Sequence, residues 1–298
     1  MYEELLNMIY GGIVNGSVLA LISLGFSLIY GVGKVLNLAH GGFYLLTGYL
    51  IFWLFPIFDR FTNAPINVIL TILIALVMIT LISGAVYLFL IKPFQESEIN
   101  VVLITFFLAF FFEQFIRAAW GSEYQTVYQL VVWKGTTFIA GIAIINQTMF
   151  LVIASLILVL GFMLFINKSK LGRSIRAVSQ DREAAQLMGI NANRVLFYTV
   201  MISGFLAGMA AVLYLPSYTL DPAQGWSVLT NAFAVVIMGG MGSLLGSFVG
   251  SFILGFANSF TSVFIPNGPS WSHVVPIIII IIMLIVRPRG LFGKKEVT

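Results

Sequence analysis

Glu113 and Arg117 lie four residues apart in an apolar run near 99–119. On a helix that spacing lets a carboxylate and a guanidinium meet, each relieving the other's burial in hydrocarbon. The favoured use is an internal ion pair, or a pair reaching toward the interface. Near the mouth of a pathway the same two charges would suit an amino-acid zwitterion. Asn37 and His40 stand together at the start of another apolar run. With no second histidine nearby, His40 is read as an interfacial residue capping a helix rather than as a proton relay. Asn15, Ser17, Ser23, Ser27, Asn231 and Asn258 also fall within apolar runs. They can line an aqueous path or bond across helices.

Other chemistry is poorly supplied. The chain has no cysteine, which excludes thiolate metal sites and cysteine nucleophiles. It contains no H-E-x-x-H, no G-x-S-x-G and no G-x-x-x-x-G-K-[ST], so no metal site or nucleotide cradle is expected. The two histidines, His40 and His273, are expected on opposite faces. Glu113 is the one acidic residue well inside an apolar run, a thin basis for a carrier that binds protons or sodium at the midplane.

The elements that hold these residues must be membrane helices. Of 298 residues, 60% are hydrophobic and 9% charged, with mean hydropathy +1.03. A soluble domain carries about 25% charge, so there is too little here to coat a wet surface. The apolar runs approach the ~20 residues a helix needs to cross ~30 Å of hydrocarbon. Expected spans are 9–31, 39–57, 66–91, 99–119, 147–167, 194–215, 226–240, 243–264 and 272–287. The seventh is short, so the chain reads as an all-α polytopic membrane protein of eight to nine crossings. The N-terminus lacks the basic start of a signal peptide, so the first run is expected to stay as a helix.

Nine alternating crossings put Lys34, Lys92, Lys168, Lys170, Arg173, Arg176, Arg182, Arg194, Arg287, Arg289, Lys294 and Lys295 on one side. Only Arg60, Arg117 and Lys134 fall on the other. Twelve against three makes the first side cytoplasmic, with the C-terminus there; nine crossings then put the N-terminus outside, and eight would put it inside. The segment 120–146 mixes polar, β-branched and aromatic residues and is expected to fold on the outer surface. Small residues recur at helical spacing in three stripes: Gly12, Gly16 and Ala20; Gly204, Ala207, Gly208 and Ala211; Gly242, Gly246 and Gly250. Close helix packing is their favoured use, ahead of gating.

The polar stretch 168–193 is longer than a connection between two spans requires. Asp181 or Ser179 can cap a short helix, Gly189 can end it, and Asn191 can cap the next span. Ala184, Ala185, Leu187 and Met188 would then be offered to a partner's groove. Glu183-Ala-Ala-Gln-Leu-Met-Gly189 resembles the start of the signature in the coupling loop of ABC importer permeases. The usual Ile-x-Leu-Pro ending is absent, which argues against the maltose type. The run Gly172-Arg-x-x-Arg176-Ala with Met188-Gly-Ile-Asn191 is similar to the branched-chain amino-acid and ribose branch. Gly25–Gly31, Val35–Gly42, Met238–Gly246 and Arg287–Gly293 look like the branched-chain amino-acid permease of the LivH type. In this order these stretches cover about 9–293.

The resemblance implies a permease fold related to the vitamin B12 importer type, one permease domain over 1–298, and no enzymatic activity of its own. It implies a second related permease in a heterodimer, two ATPase subunits carrying ATP and Mg, an external substrate-binding protein, and a bacterial or archaeal inner membrane. Neither a cofactor in this chain nor nucleic acid is expected. Coupling to the ATPase is carried over to Gly172, Arg173, Arg176, Asp181, Glu183, Ala184, Ala185, Met188 and Gly189. Candidates for the substrate pathway are Asn37, His40, Glu113, Arg117, Asn231 and Asn258. Related permeases import urea, amides or simple sugars, and these substrates remain open beside branched-chain amino acids.

Overall fold

The computed structural model describes residues 1–127, 130–139, 141–271 and 274–293. His273, Lys294 and Lys295 lie outside them. In hydrocarbon every backbone N–H and C=O must be satisfied within its own segment, so long apolar runs become helices. Each of the nine expected spans coincides with one. They are α1 (Tyr2–Gly33), α2 (His40–Asp59), α3 (Ile66–Val86), α4 (Glu98–Trp120), α5 (Asn146–Lys168), α8 (Ala192–Tyr214), α9 (Gln224–Gly239), α10 (Leu244–Phe264) and α11 (Val274–Val286). Seven of these are long and apolar enough to cross a membrane, α3 counted with the π turn Tyr87–Ile91 and 3-10 turn Lys92–Phe94 that extend it. The other two, α9 and α11, have 16 and 13 residues. Between α5 and α8 stand α6 (Lys170–Gln180) and α7 (Arg182–Leu187).

The chain is not wholly helical. Within 120–146, strands β1 (Thr136–Ile139) and β2 (Ile142–Ile145) form an antiparallel hairpin with Thr136 opposite Ile145. Gln125 pairs with Leu220 across to the segment before α9. The surface fold expected of this stretch is present, and it corrects an all-α description.

The bundle is organised around α1, which packs on α10, α8, α5 and α9. Within their most apolar windows, 89% of α1 is buried but only 28% of α5, so α1 is the axis and α5 lies at the rim. A helix apolar all round can be buried all round. What permits the closest approach is the absence of side chains. A Cβ built on Gly255 of α10 would stand 2.5 Å from the Gly16 nitrogen and 2.7 Å from its Cα. One on Gly208 of α8 would come 3.0 Å from Ile79 Cγ2 in α3. The small-residue stripes are therefore occupied by packing.

The second organising feature is where α2 begins. His40, its first residue, bonds the Ile22 carbonyl of α1, eleven residues short of Gly33. At about 1.5 Å per residue, α2 starts roughly 16 Å in from the end of α1. The same side chain meets Ser203, eleven residues past the start of α8. From the exposed Lys34 the chain thus runs as irregular backbone into the protein, where Asn37 and Ala39 are buried, and its polar groups need partners there. Leu38 N–H donates to Thr105 Oγ1 of α4 at 3.1 Å, and Ala39 N–H to Asn37 Oδ1 at 3.1 Å.

Gly255→Val forces a branched side chain into the α1–α10 seam and should cost at least the 1–3 kcal/mol typical of overpacking. Gly161→Ala in α5, where a Cβ meets nothing within 4 Å, is the control. Thermal unfolding of the purified chain should show a lowered midpoint for the first and an unchanged or slightly raised one for the second, alanine being the better helix former. Equal midpoints would remove the seam from the account.

Candidate functional site

The loop between α5 and α8 is built by four local devices. Ser169 Oγ accepts from Gly172 N–H at 2.9 Å and starts α6. Asp181 Oδ1 accepts from Ala184 N–H at 2.9 Å and starts α7. Ser179, the other candidate cap, instead donates to the Arg176 carbonyl. Gly189 takes φ +83°, with its N–H on Gln186 O and Ile190 N–H on Ala185 O, a Schellman ending for α7. Asn191 Oδ1 then accepts from Arg194 N–H at 3.0 Å and opens α8. A fixed six-residue helix results, although isolated helices so short do not persist in water.

The residues carried over as coupling residues divide in two. Gly172 is buried against the Ile166 backbone, where a Cβ would have no room. Arg176 donates to Ile166 O and Arg173 to Lys168 O, so both guanidinium groups serve the terminal carbonyls of α5. Asp181 is the cap. Ala185, expected on the partner face, is buried beneath α7. Glu183, Ala184 and Gly189 are exposed. Leu187 and Met188 are 89% and 83% exposed, more than any other large apolar residue except Met1 among the described residues. Arg182, which the sequence did not single out, ties α7 to its surroundings. Its Nη2 donates to Asn193 Oδ1 at 3.0 Å and to Gln95 Oε1, beyond α3, at 3.4 Å.

The pathway candidates fall at three separate places. His40 is fully buried, not interfacial, and caps nothing. Its Nε2–H donates to Ile22 O at 2.8 Å, and Nδ1 lies 2.9 Å from Ser203 Oγ, so one ring ties three helices together. It is the depth at which α2 starts that overturns the interfacial reading. Asn37 is buried beside it, and its Nδ2 has no hydrogen-bond partner. Asn231 and Asn258 meet between α9 and α10, with Nδ2 of Asn258 3.3 Å from Oδ1 of Asn231. Among the described residues no three His, Asp or Glu side chains gather around one metal position.

Glu113 and Arg117 form the expected pair, with Arg117 Nη2 and Nε at 2.8 and 3.1 Å from Glu113 Oε1. The sequence could not supply the third member. Trp226 Nε1–H, from the first turn of α9, donates to Glu113 Oε2. The carboxylate is held from both sides at the wall of a narrow cleft among α2, α4 and α9, lined by Gly42, Ala109, Gly225 and Trp226. The Arg117 side chain is 32% exposed and that of Glu113 11%. Removing the arginine strands a buried carboxylate, whereas removing the acid leaves a guanidinium that can reach water. Arg117→Met should therefore destabilise more than Glu113→Gln, toward the ~3–5 kcal/mol seen when a buried pair is broken. Denaturant or thermal unfolding checks the order, and the reverse order would refute this account of the pair.

A family model described as a branched-chain amino acid transport system permease component matches residues 8–284. The high-affinity branched-chain amino acid transport system permease protein BraD of Pseudomonas aeruginosa is 26% identical over 98% of this chain and 97% of its own length. LivH of Escherichia coli is 27% identical over 98% of this chain and 96% of its own length. The fructose import permease protein FruG of Bifidobacterium longum is 24% identical over 88% and 79%. A match that runs across all seven long apolar helices, from α1 to α10, with relatives aligned nearly end to end, is a match of whole architectures. The chain belongs to the family of permease components of branched-chain amino acid transport systems.

Proposed function

We propose that the chain is the membrane-spanning subunit of an ATP-driven importer of branched-chain or other apolar amino acids, delivered by an external binding protein. The observation that carries this reading is α7, a helix capped at both ends that turns Leu187 and Met188 outward. An exposed apolar pair on a rigid helix is costly in water and useful in a partner's groove. The partner is one of two ATPase subunits, which bind ATP and Mg. A second, related permease completes the membrane part, with a fold related to the vitamin B12 importer type. Nine crossings, α9 and α11 included, bring the α6–α7 loop and the C-terminus to the cytoplasm, in line with the twelve basic residues on that side. The hairpin β1–β2 and the Glu113–Arg117 pair then lie toward the outer face, where the binding protein docks.

The substrate assignment rests on the names of the relatives that align over nearly the whole chain. The likeness to a fructose import permease favours one second reading, a simple sugar. Uptake of labelled leucine and of labelled fructose by the reconstituted assembly separates the two.

The chain purified from its native membrane should bring down an ATPase, and deletion of 170–190 should abolish that capture. Met188→Lys, which puts a charge on the docking face at the C-terminal end of α7, where a cation suits the helix dipole, should reduce capture at least tenfold while leaving the purified chain's unfolding midpoint unchanged. Capture of no ATPase by the intact chain, with gradient-driven uptake by the chain alone, would replace this reading with an ion-coupled carrier.

A further inference from the structure

Beneath α7, a narrow crevice open to water at its mouth is bounded by the ends of α1 and α3, by α4 and α8, and by the break before α2. Its walls are branched aliphatic side chains such as Val35, Val101 and Leu196, and its polar lining is Asn37, Gln95 and Arg182. The lining is made of donors. Asn37 Oδ1 is taken by Ala39 N–H, while Asn37 Nδ2 is buried with no partner. The Gln95 oxygen is taken by Arg182, so its amide NH2 is what it can offer a ligand. Arg182 uses Nη2 on Asn193 and Gln95, and among the described residues its other guanidinium nitrogens make no hydrogen bond. No aspartate or glutamate lines the space.

A buried amide donor without an acceptor is unfavourable unless something fills it. A guanidinium beside it selects for an anion, and a planar carboxylate is the anion its fork fits. The aliphatic walls favour a branched hydrocarbon attached to that carboxylate. We infer that this cavity is a subsite that takes the carboxylate of the amino acid as it leaves toward the α7 face. The inference rests on the amino-acid reading above. Admitting the ligand, carboxylate and hydrocarbon alike, requires the walls to part. Two of the helices that would move, α3 and α8, are those to which Arg182 ties α7.

The test uses the assembled transporter in nanodiscs, without binding protein, titrated calorimetrically with isovalerate, leucinamide and chloride. Isovalerate keeps the carboxylate and the branched chain, leucinamide lacks the carboxylate, and chloride is a free inorganic anion. Saturable binding of isovalerate, none of leucinamide, and at least tenfold weaker chloride are expected. Asn37→Asp keeps the acceptor for Ala39 N–H but replaces the donor with a charge, and should weaken isovalerate at least tenfold. Arg182→Gln should do the same and Arg182→Lys less, so the result does not hang on one variant's folding. Chloride bound as tightly as isovalerate overturns the substrate assignment, and no saturable anion binding overturns the site. The importer reading fails separately, by absence of the copurified ATPase, whatever the titration gives.

Discussion

The structure depends on how closely α10 can approach α1. In lipid, burying apolar surface between two helices gains little, because the tails are as apolar as the side chains, and association falls to packing at short range. Gly16 and Gly255 leave backbone against backbone, with no space for one methyl group. Once α10 is seated there, α9 closes against both, and α8 takes another side of the same axis. A helix in this position needs no polar face, which explains how thirty-two residues with so few charges remain one uninterrupted element.

An axis enclosed on most sides constrains the next element. The chain leaves α1 at Lys34, in the left-handed conformation at φ 55°, and turns back inside the protein rather than outside it. Backbone that is neither helix nor strand is tolerated at depth only where protein or a water-filled cavity satisfies it. Thr105 Oγ1 and Asn37 Oδ1 supply part of that satisfaction by accepting from the Leu38 and Ala39 N–H groups. Asn37, whose side-chain Nδ2 has no hydrogen-bond partner, is one of the residues lining the cavity. A polar break and a cavity at one depth have a common origin in the early start of α2.

The helices were legible because hydrocarbon demands them and apolar length reports it directly. The i,i+4 ion pair and the caps Asp181, Gly189 and Asn191 were legible for the same reason, since each is a local interaction between residues near in sequence. Missed were contacts whose partners are distant in the chain. Trp226 lies 113 positions from Glu113, and Ser203 lies 163 from His40. His40 was misread because a residue at the start of an apolar run ordinarily marks the interface, and nothing in composition reports that a helix starts deep inside the bundle. Arg173 and Arg176 are coupling residues by resemblance, yet both guanidinium groups turn back onto the last carbonyls of α5. Helix α6 itself was not separated from the loop, its buried face being only Gly172, Ile175 and Val178.

These arginines bear on what α7 can do. A short helix on a slack loop absorbs a push by moving alone. Here the segment before α7 is fastened to α5 through Arg173 and Arg176, its first residue to the start of α8 and the end of α3 through Arg182, and its last turn runs by a Schellman ending directly into the cap of α8. Packed elements pass displacement on because interiors are dense and side chains cannot compress. A force applied at Leu187 and Met188 therefore reaches three membrane helices at once. Two of them, α3 and α8, border the cavity that ends at Asn37, and α8 also carries Ser203 against His40. The exposed apolar pair and the buried break are thus joined by a short chain of charged and amide contacts, and a partner that grips the first acts on the second.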